Sequence, residues 1–301
     1  MDRQKPQPGH GMAGDLPLSD HKLNIAVRGL PRSGFDTRKG PAMSDAVDCI
    51  FSDVGSGPVI FMVHGIGARR SVWDPIIERL SGRFRCISYD LRGHGDSPVT
   101  GEPMTLDDLI ADLEALRARL GIDKAHVIGH SLGGMIGPAY AKAHPDRVLS
   151  LGILSTAAFR TEDDSQKVQG VVAAMRQNGV ATSVGLLTQR WFTDAFAAAN
   201  PDVIANRIKQ VIETPEDVFL NVFDIYATTE MSPWLHEVTA PSLVLTGAED
   251  GGCSPRLNTQ IAAALPNSDL VILDGLKHAI LLESPDRVAD ALDVFFSARS
   301  A

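Results

Sequence analysis

A short strand-like run, Ala125–Gly129, leads without a break into His130-Ser131-Leu132-Gly133-Gly134, and a helical pattern ended by Pro145 follows at once. A chain that passes from strand to helix this abruptly must turn a sharp corner. Gly129-His130-Ser131-Leu132-Gly133 has the G-x-S-x-G spacing that makes such a corner and leaves the serine at its tip. Small residues two before and two after Ser131 let neighbouring chain pass close by, and Gly134 adds room. The helix start supplies free N–H groups and the positive end of a dipole, which places the Leu132 N–H to meet a developing oxyanion. In this setting Ser131 reads as a nucleophile.

The surrounding pattern sets the architecture. Val47–Ser52, Val59–Val63, Phe84–Tyr89, Ala125–Gly129 and Val148–Leu154 read as strands, separated by turn chemistry or helical stretches. Ser71-Val72-Trp73-Asp74 resembles a capping box opening one helix. Thr105 opens another, whose apolar stripe is Leu106, Leu109, Ile110, Leu113, Leu116 and Leu120, closed by Gly121. Such alternation implies right-handed crossovers and a mostly parallel central sheet flanked by helices. From Thr156 to Trp234 the strands stop and only helical patterning remains. Alternation then resumes with Ser242–Thr246, a helix through Ile261–Leu265, Leu270–Leu273 and a last helix over Pro285–Phe296. The expected fold class is therefore α/β with an inserted helical cap. The core spans 44–155 and 235–301, and the cap spans 156–234, above the sheet edge where ligands bind in open α/β sheets.

Residues 1–43 differ from the rest. Residues 1–42 carry five prolines, six glycines and seven basic against four acidic residues, whereas the 301-residue chain as a whole has a net charge of −9. We expect a disordered extension, or an upstream start ahead of Met43, in preference to a targeting peptide. No apolar run is long enough for a membrane span, and no Lys/Arg cluster argues for nucleic acid. Cys49, Cys86 and Cys253 are widely spaced and odd in number, which fits reduced thiols in a cytoplasmic setting better than disulfides or a structural zinc site. No metal or organic cofactor is implied. The expected partner is a small-molecule substrate, with monomer and homo-oligomer both open.

A serine nucleophile needs a base, and the base needs a third group to hold it. Of nine histidines, His10 and His21 lie in the extension, and His94 belongs to the turn Asp90–Ser97. His126 is inside a strand, His130 adjoins the serine, and His144 and His236 lie at a helix end and a linker. His278, in a loop between the last strand and the last helix, is at the correct edge of the sheet. Asp250, just past Ser242–Thr246, is the best acid, with Glu249 as its neighbour and alternative. A second oxyanion donor is expected from His64-Gly65-Ile66-Gly67, where Ile66 offers its N–H and His64 is structural.

These residues resemble the α/β-hydrolase superfamily from Val47 to Phe296, in the order Ser131, Asp250, His278. Serine at the nucleophile position sets the chain apart from the dehalogenase and epoxide hydrolase branches, which use aspartate there. Ser131–Gly137, Leu154–Ala158 and Arg190-Trp191-Phe192 resemble 3-oxoadipate enol-lactonases and related ring-cleavage-pathway hydrolases. The chain departs from that pattern at Gly251–Pro255 and around His278. The resemblance implies hydrolysis of a small carboxylic ester or lactone through an acyl-enzyme. Hydrolysis of a C–C bond or an amide remains open, as does a small-molecule sensor on the same scaffold. Arg190, beside Trp191, is the cap arginine we expect to meet a substrate carboxylate.

Overall fold

The structure, a computed structural model, describes residues 46–101 and 103–299. The expectations for residues 1–43 lie outside them. Seven strands form one sheet: β1 (Phe51–Val54), β2 (Val59–Val63), β3 (Arg85–Tyr89), β4 (Ala125–His130), β5 (Val148–Leu154), β6 (Ser242–Gly247) and β7 (Ser268–Leu273). Their spatial order is β1-β3-β2-β4-β5-β6-β7. Only β1 runs antiparallel to its neighbour, and the other strands are parallel.

The strand sequences explain the layering. Successive side chains of β2 point to opposite faces, and both faces of Val59-Ile60-Phe61-Met62-Val63 are apolar. Phe61 and Val63 pack with α2 (Leu106–Arg119) and α3 (Gly133–Ala143). Ile60 and Met62 pack on the other side with the turn ending at Trp73, with α1 (Asp74–Leu80) through Ile77 and with α11 (Pro285–Ser297) through Val288 and Phe296. A strand buried on both faces belongs at the centre of a parallel sheet, and β2 is there. Thr105 caps α2 as its sequence predicts: the Asp108 N–H donates to Thr105 Oγ1, and the Thr105 N–H donates to Asp108 Oδ2 at 2.8 Å.

Two local expectations are corrected. The first strand is Phe51–Val54, not Val47–Ser52. The Val47 N–H donates to Asp112 Oδ1 and the Ile50 N–H to Ser97 Oγ, so side chains take the donors that a ladder would need. Ser71 does not cap a helix. Arg70–Trp73 is a 3₁₀ turn without a side-chain cap, and it is anchored when the Arg70 N–H donates to Asp90 Oδ1 at 2.7 Å.

Between β5 and β6 the chain forms five α-helices, a short 3₁₀ turn (Leu235–Glu237) and no strand: α4 (Glu162–Asn178), α5 (Val180–Trp191), α6 (Asp194–Ala199), α7 (Pro201–Glu213) and α8 (Glu216–Thr228). This is the cap. It adjoins the loops that follow β2 and β7, as its contacts below show. After β6, α9 (Pro255–Ala264) leads to β7. The short α10 (Ile280–Glu283) then intervenes before α11, where the sequence suggested a plain loop. No helix among the described residues is long and apolar enough to cross a membrane.

Candidate active site

Ser131 occupies the corner between β4 and α3 with φ of 58°. This left-handed conformation is costly for a residue with a Cβ. Surrounding bonds hold it there. The Ser131 N–H donates to the Leu154 carbonyl at 2.9 Å, and its own carbonyl accepts from the Gly134 N–H at 2.9 Å and Thr156 Oγ1 at 2.8 Å. The other non-glycine residues with positive φ among those described are Ser155 and Phe159. Both lie just after β5, where the chain leaves the sheet for the cap, so strain is concentrated at this edge.

The glycines of the motif have measurable reasons. A Cβ on Gly129 would lie 1.9 Å from the Gly133 carbonyl oxygen, and one on Gly133 would lie 2.1 Å from that of Val63. Backbone is the obstacle in both cases, so rotamer changes cannot relieve it. We expect Gly129→Ala to destabilise the protein by more than about 4 kcal/mol, in the range reserved for severe backbone conflicts. A thermal or urea transition within about 1 kcal/mol of wild type would contradict this packing.

The loop after β2 lies directly against the corner. A Cβ on Gly65 would come within 2.9 Å of Ser131 Cβ. Two buried histidines shape this loop. The His64 Nδ1–H donates to the Gly65 carbonyl at 2.8 Å, and its Nε2 accepts from the Leu91 N–H at 3.0 Å. His94 does the equivalent one turn away: Nδ1–H donates to the Arg92 carbonyl and Nε2 accepts from the Gly67 N–H at 3.2 Å. Both rings must be neutral to accept a bond, and burial keeps them so, lowering His64 to about 4 and His94 to about 3. His94 therefore helps to shape the candidate oxyanion loop, a role its sequence context did not reveal. With the loop fixed, the Ile66 and Leu132 N–H groups find no protein acceptor among the described residues, although both residues are buried. Buried donors of this kind are rarely left over, and here they flank the candidate nucleophile.

The structure brings Asp250 and His278 together from the loops after β6 and β7. The His278 Nδ1–H donates to Asp250 Oδ2 at 2.7 Å. Asp250 Oδ1 accepts from the Gly252 and Cys253 N–H groups at 3.0 and 2.8 Å. Burial works against charge on Asp250, but His278 and the two amides outweigh it and hold the carboxyl below its ordinary pKa. Burial likewise opposes charge on His278, and the adjoining carboxylate overcomes it, raising the imidazole well above 6.5. Glu249, the alternative acid, is exposed. His130 supports the same loop by donating Nε2–H to the His278 carbonyl at 2.9 Å. Asp250, Cys253 and His278 offer donor atoms within 4.8 Å of one another. Cys253 Sγ, however, is already engaged by the Tyr226 hydroxyl at 3.0 Å.

Ser131, His278 and Asp250 line one cavity together with Ile66 and cap residues that include Trp191, Arg207, Phe219 and Tyr226. Its volume of about 130 Å³ is small beside the roughly 300–1,000 Å³ of pockets for drug-sized ligands. Trp191 forms part of the wall, and its carbonyl accepts from the Ala279 N–H at 2.8 Å, fastening α5 to the His278 loop. Arg190 is exposed and sits at the rim, lining both this cavity and an adjoining groove. The cation on the inner wall is Arg207. Arg207 lies on α7 in no motif that would distinguish it from the other arginines of the cap.

This sheet order, the strained serine corner and the helical insertion define the class: the chain belongs to the α/β-hydrolase family, whose profile, described as alpha/beta hydrolase fold, matches residues 58–285. Among curated relatives, 3-oxoadipate enol-lactonase 1 of Acinetobacter baylyi is 28% identical over 65% of this chain and 72% of its own length. From the same organism, (E)-2-((N-methylformamido)methylene)succinate hydrolase is 23% identical over 81% of this chain and 92% of its own. A solved structure of a thermophilic esterase from Thermogutta terrifontis, in a malate-bound form, is 26% identical with a TM-score of 0.77. It covers 85% of this chain and 95% of that one.

Proposed function

We propose that the protein is a serine hydrolase that cleaves a small carboxylic ester or lactone through an acyl-enzyme. The observation that carries this reading is the shared cavity: Ser131 at a strained corner opens onto the space that holds the Asp250–His278 pair. In the first half-reaction Ser131 Oγ attacks the carbonyl carbon and its proton passes to His278 Nε2. The carbonyl electrons move to oxygen, which the Ile66 and Leu132 N–H groups stabilise. Collapse expels the alkoxide, which takes the proton from His278. In a lactone that alcohol stays tethered to the acyl group. Water then gives a proton to His278 and attacks the acyl carbon, and Ser131 recovers the proton as the acid leaves. Asp250 fixes the imidazole tautomer and stabilises its cation throughout.

The finer reading is an enzyme resembling the 3-oxoadipate enol-lactonases, acting in aromatic catabolism. Small cavity size, a relative of that name and a similar esterase with bound malate support a small, acidic substrate. A second reading, hydrolysis of an amide, is favoured by the relative whose name describes an N-methylformamido substrate. A panel of esters, enol-lactones, ring-cleavage products and amides, with Ser131→Ala protein as the blank, decides between them. Multiple turnovers on an ester or lactone are expected. A single slow modification of Ser131 with no turnover on any member would instead point to a sensor.

Trp191 would contact substrate through the cavity wall, and Arg190 would meet an incoming anion at the mouth. An exposed charge acts weakly and is screened by salt. We therefore expect Arg190→Ala to raise KM for a carboxylated substrate only a few-fold at low salt. An unchanged KM under those conditions removes Arg190 from the binding site.

A further inference from the structure

Among the described residues, most partly or fully buried arginines face a carboxylate. Arg92 pairs with Asp112, Arg117 with Glu114 and Arg70 with Asp90. Arg207 does not. It takes part in no ion pair among the described residues, and burial alone lowers its pKa, to about 10, with no neighbouring acid acting in the other direction. Its guanidinium lies 4.6 Å from the centre of the Trp191 ring, in cation–π contact. Nη1 donates to the Gly67 carbonyl at 2.5 Å and Nη2 to the Ile66 carbonyl at 2.8 Å.

These contacts hold the group rigidly without neutralising it. A guanidinium has five N–H donors, and those of Arg207 not given to Ile66 and Gly67 have no protein acceptor among the described residues. Arg207 lines the cavity, and Asp250 is the sole carboxylate there among the described residues. That carboxylate is already committed to His278, Gly252 and Cys253. Arg207 is half-buried, and a cation held at a cavity wall without a counter-charge is a ready partner for an anion that enters. The chain as a whole carries −9, so the general field repels anions and does not account for a cation kept bare at this point.

We propose that Arg207 is the carboxylate-binding residue of the cavity, and that the substrate is monoanionic: an ester or lactone bearing one free carboxylate, as in a dicarboxylic half-ester. This deepens the hydrolase reading above and rests on it for the chemistry, though not for the binding. The fork is already oriented by the Ile66 and Gly67 carbonyls, so little order is lost when a carboxylate docks. The same two carbonyls belong to the loop that carries the candidate oxyanion donor. Docking therefore acts on the residues flanking the reacting carbonyl, and Trp191 extends the contact to the His278 loop through Ala279.

The test compares monomethyl with dimethyl esters of malonic, succinic, glutaric and adipic acids. Wild-type protein should favour one half-ester over its diester in kcat/KM by roughly 30-fold or more, the lower end for a buried charge pair. That preference should survive 0.5 M NaCl, because a buried pair is little screened. Arg207→Met should bring the half-ester to diester ratio close to one, and Arg207→Lys should keep the charge but only part of the preference. Equal losses on both esters would make Arg207 a mere brace for the loop and overturn the proposal. So would a wild-type preference that is absent or vanishes in salt. Calorimetry with the free dicarboxylates separates the two readings. Binding to wild type that is lost in Arg207→Met, with no ester cleaved, removes the hydrolase reading and keeps the subsite. If no dicarboxylate binds and esters are cleaved, only the subsite falls. Should Arg207→Met fail to fold, the wild-type measurements and Arg207→Lys still decide.

Discussion

Replacing Ser131 with alanine is expected to lower kcat by about 10⁶-fold, the loss seen when a serine nucleophile is removed from a complete set of partners. The fold should be unaffected. Every bond that holds the corner uses Ser131 backbone: its N–H to Leu154, its carbonyl to Gly134 and Thr156. Alanine keeps those bonds and has the same conformational cost at φ of 58°. Glycine removes that cost. Ser131→Gly should therefore be equally inactive but more stable than Ser131→Ala by about 1 kcal/mol, the lower end of the left-handed penalty for a residue with a Cβ. Steady-state rates and urea midpoints on the two variants check both statements. Near-wild-type hydrolysis by either variant would remove Ser131 from the chemistry. Equal midpoints would remove strain from the account of the corner.

The second large effect concerns Asp250. In the proposed mechanism the His278 imidazole serves as base only when neutral, and its pKa is raised above the ordinary 6.5 by the adjoining carboxylate acting against burial. As pH falls through that raised pKa the base is protonated and turnover is lost, so kcat/KM should climb through and above neutral pH to an alkaline plateau. Asp250→Asn removes the charge that favours the imidazolium. The acid limb should then move to lower pH, while kcat on the plateau drops by about 10⁴-fold because the asparagine no longer enforces the productive tautomer. A wild-type limb at or below 6.5 would contradict the first part. A limb that stays in place in Asp250→Asn would show that some other group sets it, and exposed Glu249 would return as the acid to test.

Much of this site was legible in the chain because its parts are local. A corner that packs Gly129 against Gly133 and Gly133 against Val63 leaves room for no Cβ, so the glycines are written into the sequence at fixed offsets. Turn glycines and a strand pattern likewise place Asp250 and His278 at loop starts beyond β6 and β7. The first strand was misplaced for the opposite reason. Val47 and Ile50 look as extended as Phe51, but their N–H groups go to Asp112 and Ser97, which lie 65 and 47 residues further along. No window of sequence contains that competition.

What the sequence by itself determined was the α/β alternation, the interrupted stretch that becomes the cap, and three candidate residues in order. The alternation and its interruption follow from local periodicity and Ser131 from steric need at its corner, whereas Asp250 and His278 follow from their places after strands at one sheet edge and from the α/β-hydrolase order. The tertiary structure alone decided which charge stands inside the cavity. The sequence favoured Arg190 for its place beside Trp191, and only the packing of α5 and α7 against the loops after β2 and β7 leaves Arg190 exposed and Arg207 half-buried against the cavity wall. The physical difference is desolvation. A cation's influence on a ligand depends on how much water remains around it, and that is a property of the folded surroundings, not of the residue or its neighbours in the chain.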